Sequence, residues 1–423
     1  MAKISPFTAL RYNTAMAGDI QTLCCPPYDV ISPERQAALK SQNPYNAIHL
    51  ELPSGEDRYR RAGALLRAWW QNGILKRDEI SSYYVYRLDF NDGQPRNLYG
   101  FFARASLEPF DKGIILPHEE TLSKDKTDRY LLLQETLCNI SPIYGLYEER
   151  DGAIEQALQA AMNAAPDISF TDDDMVTHSL WPMKNPGALE MITRALSDKR
   201  VLIADGHHRY ETALDFYQEQ KQKTPALPAD SPLGTILMFL VDMYHQDLVV
   251  WPTHRLIRGL PDFSERALTV SLSRDFDMET CPADAHTPAR LAEMPNTVGL
   301  YTGGDTVTLL RSKEPDAVLR ALPEKSAAYR ALEVSLLHAC ILEPYLGIDK
   351  EKLAGQTHLV YTRDLGEVYE KVRDGDFQCA FLLPATPVSM IGRVADMGER
   401  MPQKSTYFYP KLTTGLIFHP LKD

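Results

Sequence analysis

The chain has 423 residues, a formal net charge of −12, 44% hydrophobic residues and 24% charged ones. That acidity excludes a broad nucleic-acid-binding surface, which needs clustered Lys and Arg, and no apolar run approaches the length of a membrane span. The length exceeds one comfortable core, so two lobes are expected: a catalytic lobe over residues 1–262 with an N-terminal extension, and a second α/β lobe over 263–423 whose tail returns to the site.

The start, Met1-Ala-Lys-Ile-Ser-Pro-Phe7, has no apolar stretch behind its one positive residue, so a cytoplasmic location is expected. Cys24, Cys25, Cys138, Cys281, Cys340 and Cys379 are scattered without a Cys-x-x-Cys pair, which points to reduced thiols. Pro6, Pro26 and Pro27 keep residues 1–32 extended or turned. Ser32 caps and Pro33 opens a helix to about Ser41. Ile48–Leu52 alternates as a half-buried strand does, and a helix over Asp57–Asn72 stops at Gly73. Tyr83–Phe90 and Arg96–Leu107 alternate around Asn91-Asp-Gly93, the signature of a hairpin.

Leu116-Pro-His-Glu-Glu-Thr-Leu-Ser-Lys-Asp-Lys-Thr-Asp-Arg129 is the first stretch with suspicious chemistry. It reads as a loop leading a helix across the mouth of a site. His118 and Glu119 are candidate general bases; Lys124, Lys126 and Arg129 suit phosphates; Asp128 can orient Arg129 or bind a metal. Helices are predicted over Ala153–Ala164 and Lys184–Leu196, with an acidic surface loop at Thr171–Met175 between them.

The chain is organised around Val201-Leu-Ile-Ala-Asp-Gly-His-His-Arg-Tyr-Glu-Thr-Ala-Leu214. Val201–Ala204 is the apolar run of a buried strand, and Tyr210, Ala213, Leu214 and Tyr217 recur at helical spacing to about Lys221. Between them Asp205-Gly206 makes a turn where unpaired N–H groups and the helix dipole favour an anion. Gly206 lets the backbone come close, Arg209 offers a fork of donors, and His207 and His208 can donate a hydrogen bond or a proton. His207 and Glu211, four apart, can also face one metal ion.

A Pro-rich connector over 224–232 precedes Gly234–Met243 and Leu248–Trp251, predicted as an apolar hairpin ending in Pro252-Thr-His-Arg255, which makes His254 and Arg255 further phosphate or substrate contacts. Beyond Leu260, strands are predicted at Thr297–Tyr301, Thr306–Arg311, Gln356–Tyr361 and Cys379–Leu383, and helices at Ala327–Leu346, Leu365–Arg373 and from a Thr386 cap to Met397. The tail Met401–Gly415 carries three aromatics with Lys404, Ser405, Thr406 and Lys411, and is expected to fold back with its cations on phosphate.

Asp205-Gly-His-His-Arg209 after a strand resembles the phosphate-binding signature of the ParB/sulfiredoxin-like superfamily, whose members include partition proteins, sulfiredoxin and a free-serine kinase. Through Cys25–Ser32, Asn43–His49, His118–Arg129, Pro252–Leu256 and Met401–Tyr409 the whole chain is similar to an uncharacterised prokaryotic family with the same motif, whose genes often neighbour serine biosynthesis. The resemblance implies a mixed α/β, ParB/sulfiredoxin-like core and a phosphotransferase acting on serine or phosphoserine, with a nucleotide or pyrophosphate as donor and Mg as a plausible aid. Phosphoserine hydrolysis and nucleotide sensing without metabolite chemistry are the alternatives. His or Asp/Glu beside Lys/Arg in three segments of an acidic chain suits a small anionic metabolite rather than a nucleic acid or a membrane.

Overall fold

Tyr83–Asn91 and Pro95–Ser106 form the predicted hairpin, closing at Asn91↔Pro95 with Gly93 at φ 94° and its N–H bonded to Asn91 Oδ1 at 2.9 Å. The computed structural model describes residues 2–121, 123–228, 230–355 and 357–422, leaving out the side chains of 123–125 and 354. The hairpin belongs to a nine-stranded sheet. Its strands are β1 (Ile4–Ser5), β2 (Tyr83–Asn91), β3 (Pro95–Ser106), β4 (Ile115–Leu116), β5 (Ile143–Tyr147), β6 (Ile168–Thr171), β7 (Thr177–Met183), β8 (Val201–Asp205) and β9 (Thr235–Asp242). The order is β4-β8-β5-β9-β3-β2-β7-β6, with β1 also on β3; β8 runs parallel to β4 and β9 parallel to β5, so the sheet is mixed. Tyr83 to Tyr86 are all fully buried, so neighbours cover both faces of this part of the sheet.

The helices of this first unit include α1 (Pro33–Gln42), α2 (Ile48–Glu51), α3 (Arg58–Gln71), α4 (Ser123–Thr136), α5 (Ala153–Met162), α6 (Pro186–Leu196) and α7 (His207–Lys223). Ser32 caps α1 as expected, through a 3.2 Å bond from Arg35 N, and α4 packs against both α3 and α7. None of the described helices is long and apolar enough to cross a membrane.

Contacts divide the chain into a unit of residues 1–117, 121–248 and 410–423 and a unit of 118–120 and 249–409. The second contains β10 (Val249–Trp251), β11 (His254–Ile257), β12 (Phe276–Pro282), β13 (Thr297–Tyr301), β14 (Thr306–Ser312), β15 (Leu359–Thr362), β16 (Cys379–Leu382) and β17 (Tyr407–Tyr409). Six of these form an antiparallel sheet in the order β12-β14-β13-β16-β11-β15, and β10 pairs with β17. Its helices include α8 (Glu333–Leu337), α9 (Leu365–Arg373) and α10 (Val388–Asp396). Both units are thus mixtures of helix and sheet, the α/β class read from the sequence.

Four expectations are corrected. Ile48–Leu52 is no strand: Asn46 Oδ1 accepts from Ile48 N at 2.8 Å, and Glu51 is 1% exposed on Arg129, so the apparent polar alternation does not mark a solvent face. Val249–Trp251 does not return along β9, because β5 and β3 already occupy both edges of that strand; it pairs with Tyr407–Tyr409. The single helix expected over 327–346 is interrupted after Arg330 and again by a π-helical turn, His338–Leu342. Thr386 is likewise not the cap; Pro387 precedes α10.

Candidate functional site

In the first unit the polar residues gather at the end of β8. The apolar run Val201–Ala204 is buried between β4 and β5, and a register shift between Ile203 and Asp205 re-aims the last side chain. Gly206 then turns the backbone at φ 94° into α7. A Cβ there would sit 2.8 Å from Ile143 Cδ1 and 3.0 Å from Arg209 Nη2, so glycine is required twice over.

One helical turn on, Arg209 Nη2 donates to Asp205 Oδ2 at 2.7 Å and Nη1 donates to Pro142 O, while Nε is buried without a partner among the described residues. From the far end of the chain Lys411 donates to Asp205 Oδ1. Burial alone pushes the Asp205 carboxyl up; Lys411, Arg209 and His207 outweigh it and hold the group well below the usual carboxylate range. Asp205 is therefore held as an anion between two cations, which makes it a poor proton acceptor. His207 is buried and His208 half-buried in the first turn of α7.

The flank of this turn is ionic. Glu211 accepts from Thr121 Oγ1 at 2.7 Å and pairs with Lys126. Arg129, 5% exposed, lies 3.4 Å from Glu51 Oε1 and 2.5 Å from Asp128 Oδ2, with its guanidinium carbon 4.1 Å from the Tyr28 ring centre. Asp128 also receives Tyr59 OH at 2.6 Å and Arg58 Nη2 at 3.1 Å. A cleft of about 410 Å³, solvent included, is lined by Glu51, Arg129, Ser141, Arg209 and Thr212 among others. The side chain of Lys124 lies outside the described residues. Among them, no group of three or more His, Cys, Asp and Glu is placed to hold a metal. Asp128 and Glu211, the two possible ligands, are engaged by Arg129, Arg58 and Lys126.

The second unit holds the other expected residues. His118 is fully buried with Nε2 on Thr406 Oγ1 at 2.8 Å, and its carbonyl accepts from Met401 N at 2.7 Å. Glu119 Oε1 accepts from Lys404 N at 2.8 Å, and Ser405 Oγ donates to Pro402 O at 2.5 Å. The His-Glu pair and the 401–406 segment are thus brought together, 285 positions apart. His254 and Arg255 are fully buried on β11, not at a polar hairpin end; burial, helped by Arg255, pushes His254 down to about 3. Sequence reasoning missed Glu51, Tyr59 and Thr121. The signal for Glu51 was an acidic residue inside an apolar run; Tyr59 and Thr121 carried none.

These observations define a mixed α/β protein with a cation-rich strand–turn–helix site. The chain belongs to the family described as "Protein of unknown function (DUF1015)", which matches residues 4–335. No curated protein matches it in sequence. Among solved structures it is similar to a conserved hypothetical protein from Pyrococcus furiosus, at 13% identity and TM-score 0.36 over 74% of this chain and 95% of that one. It is also similar to a free serine kinase in complex with AMP, at 14% identity and TM-score 0.36 over 74% and 92%. A third similarity is to SbnI with a C-terminal truncation from Staphylococcus aureus, at 12% identity and TM-score 0.35 over 75% and 87%. At scores this low, the chain's own geometry has to carry the functional reading.

Proposed function

We propose that the protein is a phosphotransferase acting on a small anionic metabolite, most concretely serine or phosphoserine. The carrying observation is the Asp205, Arg209 and Lys411 cluster at the amino end of α7: two cations against one carboxylate, with Arg209 Nε buried and unpartnered among the described residues. A phosphoryl group placed there meets a fork of donors, helix N–H groups and a net positive charge, the arrangement that stabilises charge spreading over phosphoryl oxygens in the transition state.

Asp205 orients the two cations. Another group has to take the substrate proton, and the role is assigned to His208, half-buried in the first turn of α7. The donor is a nucleotide or pyrophosphate, which brings any magnesium on its own phosphates. Serine as acceptor comes from the ParB/sulfiredoxin-like resemblance of the Asp205–Arg209 motif and its free-serine kinase member; phosphoserine hydrolysis would use the same groups with water as acceptor.

The test mixes purified protein with L-serine and ATP, ADP or pyrophosphate and follows phosphoserine, then supplies phosphoserine alone and follows free phosphate. Turnover is expected in one direction, lost in Arg209→Ala and His208→Asn. Glu119→Gln tests the other proton acceptor suggested by the sequence. No turnover in either direction, with nucleotides still raising the melting temperature, replaces the enzyme with a nucleotide-sensing regulatory protein.

A further inference from the structure

Arg255 has no exposed surface. Nη1 donates to Thr253 O, Nη2 donates to Lys404 O at 3.3 Å, and Nε has no partner among the described residues. Among the described residues no carboxylate forms an ion pair with it, although Glu119 is near enough to act on its charge. A guanidinium taken out of water with two carbonyls and no directly bonded carboxylate is costly unless an anion completes it.

Other polar atoms around it also lack partners among the described residues. Tyr361 stands directly opposite Arg255 in the β11–β15 ladder, its ring centre 5.2 Å from the guanidinium carbon and its hydroxyl unbonded. His338, which feels the charge of Arg255, opens the π-helical turn after α8 with Nε2 buried and unbonded. Such turns interrupt helices frequently at functional sites. Gln403 is close enough to bear on the Tyr361 hydroxyl, although neither its Oε1 nor that hydroxyl makes a bond of full geometry among the described residues; its Nε2 donates to Leu353 O at 3.0 Å.

Strand alternation shows which neighbours share the space. Leu256 faces a core with Tyr301, Ala380 and Val360, so Arg255 and its partners in register, Tyr361 and Phe381, face the other side of the sheet. His254 goes with Leu256; its Nδ1 accepts from Leu383 N at 3.3 Å, and it does not join the cluster. The segment over Arg255 is held in place: Lys404, left-handed at φ 56°, gives its carbonyl to Arg255 and its N–H to Glu119.

We propose that Arg255, Tyr361 and His338 form the walls of a receptor for one small carboxylate, which takes Arg255 Nε–H together with the Tyr361 hydroxyl and the His338 ring. The charge balance selects the ligand. Burial and Arg255 push His338 down to about 3, so at neutral pH the ring is neutral and one guanidinium charge faces the site. With Glu119 already acting on Arg255, a singly charged carboxylate adds less buried negative charge than a phosphate dianion would.

The experiment measures acetate against phosphate binding to the full chain by thermal shift and calorimetry, at ionic strength matched with chloride, in the wild type and in Tyr361→Phe and His338→Phe. Each substitution deletes an unbonded buried polar atom, so the ligand-free melting temperature is expected to stay or rise. Acetate is expected to stabilise the wild type and to bind about tenfold more weakly to Tyr361→Phe, the ratio of one hydrogen bond to a charged group. No response to acetate, a response equal in all three proteins, or a response to phosphate alone would overturn the proposal. Because the readout is binding and not turnover, it stands or falls separately from phosphoryl transfer.

Discussion

Replacing Asp205 by Asn keeps the side chain's shape and one accepting oxygen while deleting the charge between Lys411 and Arg209. The three side chains are 19%, 11% and 11% exposed, so water screens them little. Removing the anion leaves two buried cations facing each other, and breaking a buried pair in this way costs roughly 3–5 kcal/mol. Lys411→Met instead leaves the balanced Asp205–Arg209 pair and loses one charged hydrogen bond, about 1.5–3 kcal/mol. Urea unfolding should therefore place Asp205→Asn below Lys411→Met. Inorganic phosphate supplies the missing negative charge, so at a hundred times its Kd it should restore about 2.7 kcal/mol to Asp205→Asn and little to an Asp205→Asn, Arg209→Met double variant. If Asp205→Asn is the milder of the two single variants, or phosphate stabilises the single and double variants alike, the cradle assignment is refuted.

Acid should act through the same carboxylate. Its folded pKa is depressed, so its contribution is fully present above the unfolded value of about 4 and is lost as pH falls through the lower folded value. The stability gap between wild type and Asp205→Asn should stay constant from neutrality to about pH 4 and close below it; a gap that widens in acid reverses the sign of the argument. Gly206→Ala must hold φ 94° and push Ile143 and Arg209 aside, for about 1–3 kcal/mol of destabilisation in urea and loss of turnover. Arg129→Met leaves Glu51, 1% exposed, without its cation at a cost of roughly 3–5 kcal/mol, and adding Glu51→Met should recover most of it. Penalties that simply add across that double-mutant cycle would mean the two residues are not coupled.

Signals that complete themselves within about fifteen residues were legible. The Asn91-Asp-Gly93 turn places its own hairpin, Ser32-Pro33 opens its own helix, and the apolar run before Asp205-Gly206 makes the strand–turn–helix on which the candidate site rests. Local backbone preference and short-range periodicity act before any distant contact forms, so these elements are written in the chain itself.

Pairings across long separations were not legible. Glu51 is buried against Arg129, 78 positions away, and Val249–Trp251 goes to Tyr407–Tyr409 because β9 has no free edge. The unbonded groups around Arg255 come from a strand 106 positions on and a helical turn far from β11. Residue types alone therefore determined the strand–turn–helix at Asp205–Arg209. That Lys411, 206 positions away, completes it, and that Arg255 is enclosed with Tyr361, was decided by tertiary structure, because strand order and the pairing of buried charges are properties of the packed whole.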